Sequence, residues 1–298
     1  MKTLIIGASG KIGKYLLEFG NINYIYTYNK RKIRKGIYFD ICKNNLDKLC
    51  KRFSINKIVL LSGISDPGEC YKNKKYSNLI NVTKTKKVID YIIKKNIYFI
   101  FFSTEFIFSG NKGNYSEKSL AKTKQLYGSQ KNLIEKYIRM RTKNFSLLRI
   151  AKTYGDELDE NTLISNFIAR LKKGERKFNV ASDQKFNPLY VRDLKKIVKL
   201  FLEKEIKGVF NVGGPEQLSR YECIKKIIKQ FKNKNINKII LKKTKLKSFK
   251  FLDVRPLNIT MNINKIKRIS KFKLTKIDEV AKKIIRVNKL NEKLFNRG

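Results

Sequence analysis

Histidine is absent from this chain, and the four cysteines (Cys42, Cys50, Cys70 and Cys223) stand at no paired spacing. These absences argue against a zinc site, and still more strongly against a disulfide framework. No apolar run approaches the roughly 18 residues that a membrane helix needs. The first strand-like run meets a glycine turn at Gly7, too early for a signal peptide, and the chain reads as cytosolic. Acidic residues are scarce, 24 against 69 lysines and arginines, which leaves a formal charge of +45. Such a charge fits a binder of nucleic acid or anionic membrane. However, the lysines are spread along the chain rather than massed in one tail, and they rise together with Ile and Asn, as an AT-rich genome would cause. The excess therefore reads as solvated surface, with a field that helps attract a diphosphate-bearing ligand and with no nucleic-acid or membrane partner. What is present is a 42% apolar share over 298 residues, with neither internal repeat nor disordered linker. That is enough for a full core in one large or two interlocked domains.

Residues 3–6 form a short β-type run that enters Gly7-Ala8-Ser9-Gly10-Lys11-Ile12-Gly13, and a helical pattern continues through Tyr15, Leu16 and Phe19. Strand, glycine-rich turn and helix, in that order, form the context of a dinucleotide-binding loop. Gly7 permits the tight turn, Gly10 lets backbone approach a pyrophosphate, and Gly13 lets helix pack on strand. A second strand over 24–28 ends in Asn29-Lys30-Arg31. An acid at this point would bind the ribose hydroxyls of NAD; two cations favour the 2′-phosphate of NADP. Past residues 37–39, Asp40 and Ile41 stand where a carboxylate and backbone could meet an adenine edge. A strand over 57–61 opens into Ser62 and Gly63, small enough for backbone to lie against the cofactor. The turn Asp66-Pro67-Gly68 starts a long helical stretch with Leu79, Val82, Val88, Ile89, Ile92 and Ile93 on its apolar face and Asn81 among them. A fifth strand over 97–102 then runs into Ser103-Thr104-Glu105.

Strands and helices alternating at these lengths predict an α/β fold, a Rossmann-like doubly wound parallel sheet with ligand at the carboxyl ends of its strands. Gly7, Ser62 and Thr104 all follow such ends. Tyr127 and Lys131, four residues apart, stack on one helix face. There the ammonium can help hold a phenol ready to exchange a proton, and a hydroxyl at a buried strand end can bond the same reacting oxygen. After a sixth strand over 145–150 the pattern loosens. It continues with a helix over 162–172, a loop with Asp183, Gln184, Asn187 and Pro188, a helix from 193 and a glycine-bounded strand over 208–214. Ser219-Arg220-Tyr221-Glu222 reads as a capping box that opens a helix, and Arg255-Pro256 precedes a turn and terminal helices. Residues 1–150 are thus expected to be an NADP-binding domain. Residues 151–298 are expected to form a smaller, interleaved C-terminal substrate lobe that closes a cleft over it.

The glycine loop, Thr104 and Tyr127-x-x-x-Lys131, in that order, resemble the extended short-chain dehydrogenase/reductases. The finer resemblance is to their dTDP-4-dehydrorhamnose reductase branch, through Ser103-Thr104-Glu105-Phe106-Ile107-Phe108-Ser109-Gly110, the Asp183 to Asp193 segment, Phe210-Asn211-Val212-Gly213 and Arg255-Pro256. It spans nearly the whole chain. It implies an NADPH-dependent reductase of a nucleotide-linked 4-keto-6-deoxysugar, such as dTDP-4-dehydrorhamnose. Tyr127 would be the general acid, Lys131 would bind the nicotinamide ribose and favour the tyrosinate, and Thr104 would hydrogen-bond the carbonyl oxygen. Asn81 matches the family's helix asparagine, which supports the lysine, and with Glu105 and Arg255 completes the substrate side; Arg255 is the candidate for the diphosphate. Glu105 replaces the usual Asp, and before Tyr127 only Tyr115 and Glu117 of the family's pattern remain. The carboxylate cluster tied to a magnesium-bridged dimer is missing, so no metal is expected, while a homodimer stays open. The rivals are an epimerase using the same residues, which would keep its NAD bound, and a non-catalytic NADP-binding subunit that regulates a partner enzyme.

Overall fold

The chain begins with β1 (Lys2–Ile6), α1 (Gly13–Leu16), β2 (Tyr24–Tyr28), β3 (Ile37–Tyr38), α2 (Leu46–Phe53) and β4 (Ile55–Leu60). Helices α3 (Pro67–Lys72), α4 (Lys74–Asn78) and α5 (Thr85–Lys94) lead to β5 (Tyr98–Thr104), α6 (Leu126–Arg141) and β6 (Phe145–Ile150). The second half supplies β7 (Thr153–Tyr154), α7 (Leu163–Lys172), β8 (Lys177–Ala181), β9 (Lys185–Phe186), β10 (Leu189–Tyr190) and α8 (Val191–Lys204). It closes with β11 (Gly208–Val212), β12 (Leu218–Ser219), α9 (Arg220–Ile228), β13 (Ile240–Thr244), α10 (Asn264–Ser270) and α11 (Ile277–Val287). This computed structural model describes residues 2–290 except 21, 234, 235 and 237. Residues 291–298, expected to end the second lobe, lie outside the described residues.

Seven strands form the central sheet in the order β11-β6-β5-β4-β1-β2-β3, and every pairing within it is parallel. This is the doubly wound α/β sheet that the alternation of strands and helices predicts. Parallel strands are covered on both faces, which is why β5 is apolar over residues 98–102 and buried at all seven positions. The two-residue period sorts its side chains. Phe99 and Phe101 pack with Ile89 and Ile134 on one face; Ile100 and Phe102 pack with Leu194, Phe201 and Ile266 on the other. The strand order reverses between β1 and β4, which opens a crevice at their carboxyl ends. A separate core, built from Phe167, Phe178, Ile227 and Ile284, holds the small lobe, where β8 and β13 pair in parallel. The second half also returns β11 to the central sheet beside β6.

Two local expectations are corrected. The long helix after Pro67 is broken into α3 and α4, a π-helical turn over Leu79–Lys84, and α5. A π turn inserts a residue and rotates the register, so Leu79, expected on the apolar face, is 38% exposed while Asn81 is 2% exposed. The loop over 183–188 holds the short strand β9, paired antiparallel with β12. The capping box at Ser219 and Glu222 forms as read.

One buried ion pair ties helix α6 to the sheet. Arg149 of β6 grips Glu135 through Nη2–Oε2 at 2.7 Å and through Nε. Its Nη1 donates to the Glu117 carbonyl at 3.0 Å. Glu135 also bonds the hydroxyl of Ser103, and the Glu117 carboxylate accepts the Asn211 N–H at 3.1 Å. Removing one partner strands a buried charge. Arg149→Met is therefore expected to destabilise the fold by about 3–5 kcal/mol, while replacing Arg149 and Glu135 together by apolar residues costs far less, as read by urea unfolding.

Candidate active site

The crevice at the strand ends is a cleft of about 560 Å³ that brings together Gly7, Gly10, Lys11, Gly63, Thr104, Glu105, Tyr127, Lys131, Lys152, Arg220 and Arg255. A more open depression of about 610 Å³ lies at the opposite, amino-terminal edge of the sheet, beside Phe145 and Gly208, and holds none of these groups.

The glycine loop lines one end. Gly7 adopts φ +91°, and a Cβ there would stand 2.9 Å from the Ser62 backbone nitrogen; at Gly13 it would stand 2.5 Å from the Ala8 carbonyl. Both positions require glycine, the first for backbone conformation and the second for helix-on-strand packing. Ser62 Oγ, beside this turn, is buried with no partner among the described residues, although Ser62 does not itself line the cleft. A backbone cradle and an orphaned hydroxyl fit a dinucleotide, and Ile12 walls the cleft nearby. Ser9 lies in the same turn, half-buried, without lining the cleft. Asn29, Lys30 and Arg31 stand exposed past the carboxyl end of β2, outside the enclosed cleft. The expected adenine contacts are altered: Asp40 spends a carboxylate oxygen on the Cys42 N–H at 2.7 Å, and neither it nor Ile41 lines the cleft.

At the centre, Lys131 Nζ donates to the Phe102 carbonyl at 2.9 Å and lies 4.6 Å and 6.0 Å from the ring centres of Phe101 and Tyr127. Burial pushes this ammonium down to about 8, against the opposing pull of Cys70 and Glu135. The Tyr127 hydroxyl has no hydrogen-bond partner among the described residues. Burial, helped by Cys70, raises the phenol well above its ordinary range. Desolvation thus works against the tyrosinate that Lys131 is expected to favour. Thr104 Oγ1 accepts the Phe106 N–H at 3.2 Å, leaving its own hydrogen for the cleft.

Asn81, expected on the substrate side, is buried and does not line the cleft. Its Oδ1 accepts the Ile64 N–H at 2.8 Å, and its Nδ2 donates to the Ile64 carbonyl at 2.9 Å and to Gln130 Oε1 at 2.8 Å. Gln130 in turn donates to Ser77 at 3.0 Å. The asparagine thus clamps the segment after β4 against the helix bearing Lys131, rather than bonding the lysine itself.

The far wall is cationic. Glu105 is 1% exposed; its Oε1 accepts the Lys152 N–H at 3.0 Å and its Oε2 is buried without a partner among the described residues. Burial pushes its carboxyl up to about 8, despite Lys152 and Arg220 nearby. Lys152 is an exposed residue, and desolvation, with Arg220 adding to it, lowers its ammonium pKa. Arg220 Nε donates to Gln184 at 2.7 Å, and Arg255 lies 5.9 Å and 5.2 Å from the ring centres of Phe106 and Phe251. Burial lowers both guanidinium pKa values. These cations converge, and none of them makes an ion pair with a carboxylate among the described residues, the arrangement of an anion seat. Arg255 was legible in the sequence. Lys152 and Arg220 were not, although Lys152 follows the carboxyl end of β6 and Arg220 starts a helix, both places where ligands bind.

Against known proteins, the family model of the RmlD substrate binding domain matches residues 1–289. Methionine adenosyltransferase 2 subunit beta of Xenopus laevis is 22% identical over 232 residues, 74% of this chain and 69% of that protein. The spore coat polysaccharide biosynthesis protein SpsK of Bacillus subtilis (strain 168) is 25% identical over 235 residues, 77% of this chain and 79% of that protein. The crystal structure of dTDP-4-dehydrorhamnose reductase from Bacillus anthracis in complex with NADP superposes with a TM-score of 0.79 at 20% identity, covering 96% of this chain and 100% of that one. At this identity the structural likeness is one of fold.

Glu105 supplies a pH test. An acid whose folded pKa is raised stabilises the protein fully below its unfolded pKa and loses that contribution as pH climbs through the folded value, here about 8. Glu105→Gln is therefore expected to be more stable than the native protein at pH 9, by about 1 kcal/mol or more and with a higher melting temperature, the difference being almost gone at pH 4. Thermal melts at both pH values check this.

Proposed function

The chain belongs to the RmlD substrate-binding family, within the extended short-chain dehydrogenase/reductases; on that premise we propose that it is an NAD(P)-dependent oxidoreductase that reduces the 4-keto group of a nucleotide-linked 6-deoxysugar, dTDP-4-dehydrorhamnose, with NADPH. The observation that carries this reading is the meeting of Thr104, Tyr127 and Lys131 at the carboxyl end of β5, opposite the seat made by Lys152, Arg220 and Arg255.

The nicotinamide cofactor, when bound, supplies the hydride; the chemistry is its own. The glycine loop from Gly7 to Gly13 would hold its pyrophosphate, with Ser62 and Gly63 against the dinucleotide and Lys30 and Arg31 toward a 2′-phosphate. Lys131 has ammonium hydrogens left over from the Phe102 carbonyl with which to hold the nicotinamide ribose. Thr104 donates its hydroxyl hydrogen to the ketone oxygen. Tyr127, held protonated by burial, delivers a proton to that oxygen as charge builds on it, at a site where water is largely excluded. Lys152, Arg220 and Arg255 hold the diphosphate and so fix the sugar's reach. The buried Glu105, neutral at pH 7, donates from Oε2 to a sugar oxygen. The division at residue 150 follows the same roles, cofactor before and substrate after.

A second reading is a non-catalytic, NADP-binding subunit of a partner enzyme, favoured by the likeness to methionine adenosyltransferase 2 subunit beta. The presence of both Tyr127 and Lys131 speaks against it.

Turnover separates the two. NADPH oxidation with dTDP-4-dehydrorhamnose generated in place is expected for the native protein, with Tyr127→Phe slower by at least about a hundredfold. NADPH binding without turnover would favour the second reading.

A further inference from the structure

Helix α6 carries Tyr127 and Lys131 but begins without a cap of its own: Gln125, at its N-cap, makes no side-chain bond to the first turn. The first N–H groups of a helix need acceptors from elsewhere. One comes from the far side of the cleft, where the Leu126 N–H donates to Asp253 Oδ2 at 2.9 Å. Asp253 is 7% exposed, and its Oδ1 accepts the Val254 N–H at 2.7 Å. Gln125 Nε2 donates to the Val254 carbonyl at 3.3 Å. A carboxylate here also faces the positive end of the helix dipole.

The same segment is fastened at its other end. The Asn258 N–H donates to the Gly110 carbonyl at 2.8 Å. Gly110, at φ +81°, packs so closely that a Cβ there would lie 2.3 Å from Pro256 Cβ. Residues 253–258 therefore form a strap joined to the first turn of α6 at one end and to the loop after Thr104 at the other, with Arg255 facing the cleft between them.

We propose that Asp253 is a positioning residue that caps helix α6 from the second half of the chain and couples the seat of Tyr127 to the strap bearing Arg255. An anion gripped by Arg255 then also sets where the phenol stands. The coupling rests on the roles proposed above for Tyr127 and Arg255; the cap itself does not.

The test compares the full native chain with Asp253→Ala and Asp253→Asn. Without ligand, hydrogen exchange at the amides of residues 126–129 is expected to speed up about tenfold in D253A and to stay within about threefold of native in D253N, which keeps an acceptor, while exchange over 135–141 is unchanged. Saturating dTDP is expected to slow the 126–129 amides in the native protein and not in D253A. With dTDP-4-dehydrorhamnose, D253A is expected to lose about tenfold in kcat and to show a raised KM for the sugar nucleotide, while its NADPH Kd stays within about twofold. Unchanged exchange over 126–129 in D253A, or a dTDP effect that survives the substitution, overturns the proposal. Uniformly faster exchange along α6 with weakened NADPH binding also overturns it, because that marks general loosening. If D253A does not fold, Asp253→Glu, which moves the carboxylate one methylene past the Leu126 N–H, takes its place with the same expectations. A native protein that binds no dTDP removes the proposed function and with it the coupling, while the ligand-free exchange still decides the cap.

Discussion

Lys131 is a cation in a place that water barely reaches, 8% exposed at the carboxyl end of the most buried strand. Taking an ammonium out of water costs several kcal/mol unless other groups compensate. Much of the local architecture supplies that compensation. The parallel sheet turns the Phe102 carbonyl toward Nζ, two aromatic rings flank it, and the long helix holds Tyr127 one turn away. The same dryness keeps the phenol protonated. One constraint, desolvation at the end of β5, thus acts on both groups, favouring the proton on Tyr127 and opposing the charge on Lys131 that the surrounding groups must hold.

Holding that helix in place is a distributed task. The Arg149–Glu135 pair anchors its middle to β6, and Glu135 reaches Ser103 on β5. Gln130 and Asn81 brace it against the segment after β4. Asp253 holds its first turn. Four different parts of the chain, β5, β6, the stretch bearing Asn81 and the segment at Asp253, therefore hold one helix.

Apart from Arg255, which only the family resemblance marked, the parts of this site that were legible in the sequence are local. Gly7 to Gly13, Thr104 at a strand end and the Tyr127–Lys131 spacing each carry meaning within a few residues, because a turn, a strand terminus and a helix face are themselves local geometries. The sheet was legible for a similar reason, since buried parallel strands must read as apolar runs. The π turn at Leu79 was hidden because a single inserted residue leaves the apolar spacing looking helical while rotating Asn81 inward. Lys152, Arg220 and Asp253 were hidden because they reach the site through contacts distant in sequence. In a chain with 69 basic residues, moreover, no single cation stands out. The Arg149–Glu135 pair was invisible for the same reason: only the fold makes those two residues neighbours.

Cofactor binding by the native chain tests the central claim most directly. Titration with NADPH and with NADH, followed by the fluorescence of the reduced nicotinamide, is expected to give saturable NADPH binding, at least about tenfold tighter than NADH if Lys30 and Arg31 meet a 2′-phosphate. Saturable binding of NADH alone would move the assignment to NAD. No binding of either would contradict the reading of this cleft as a nicotinamide site.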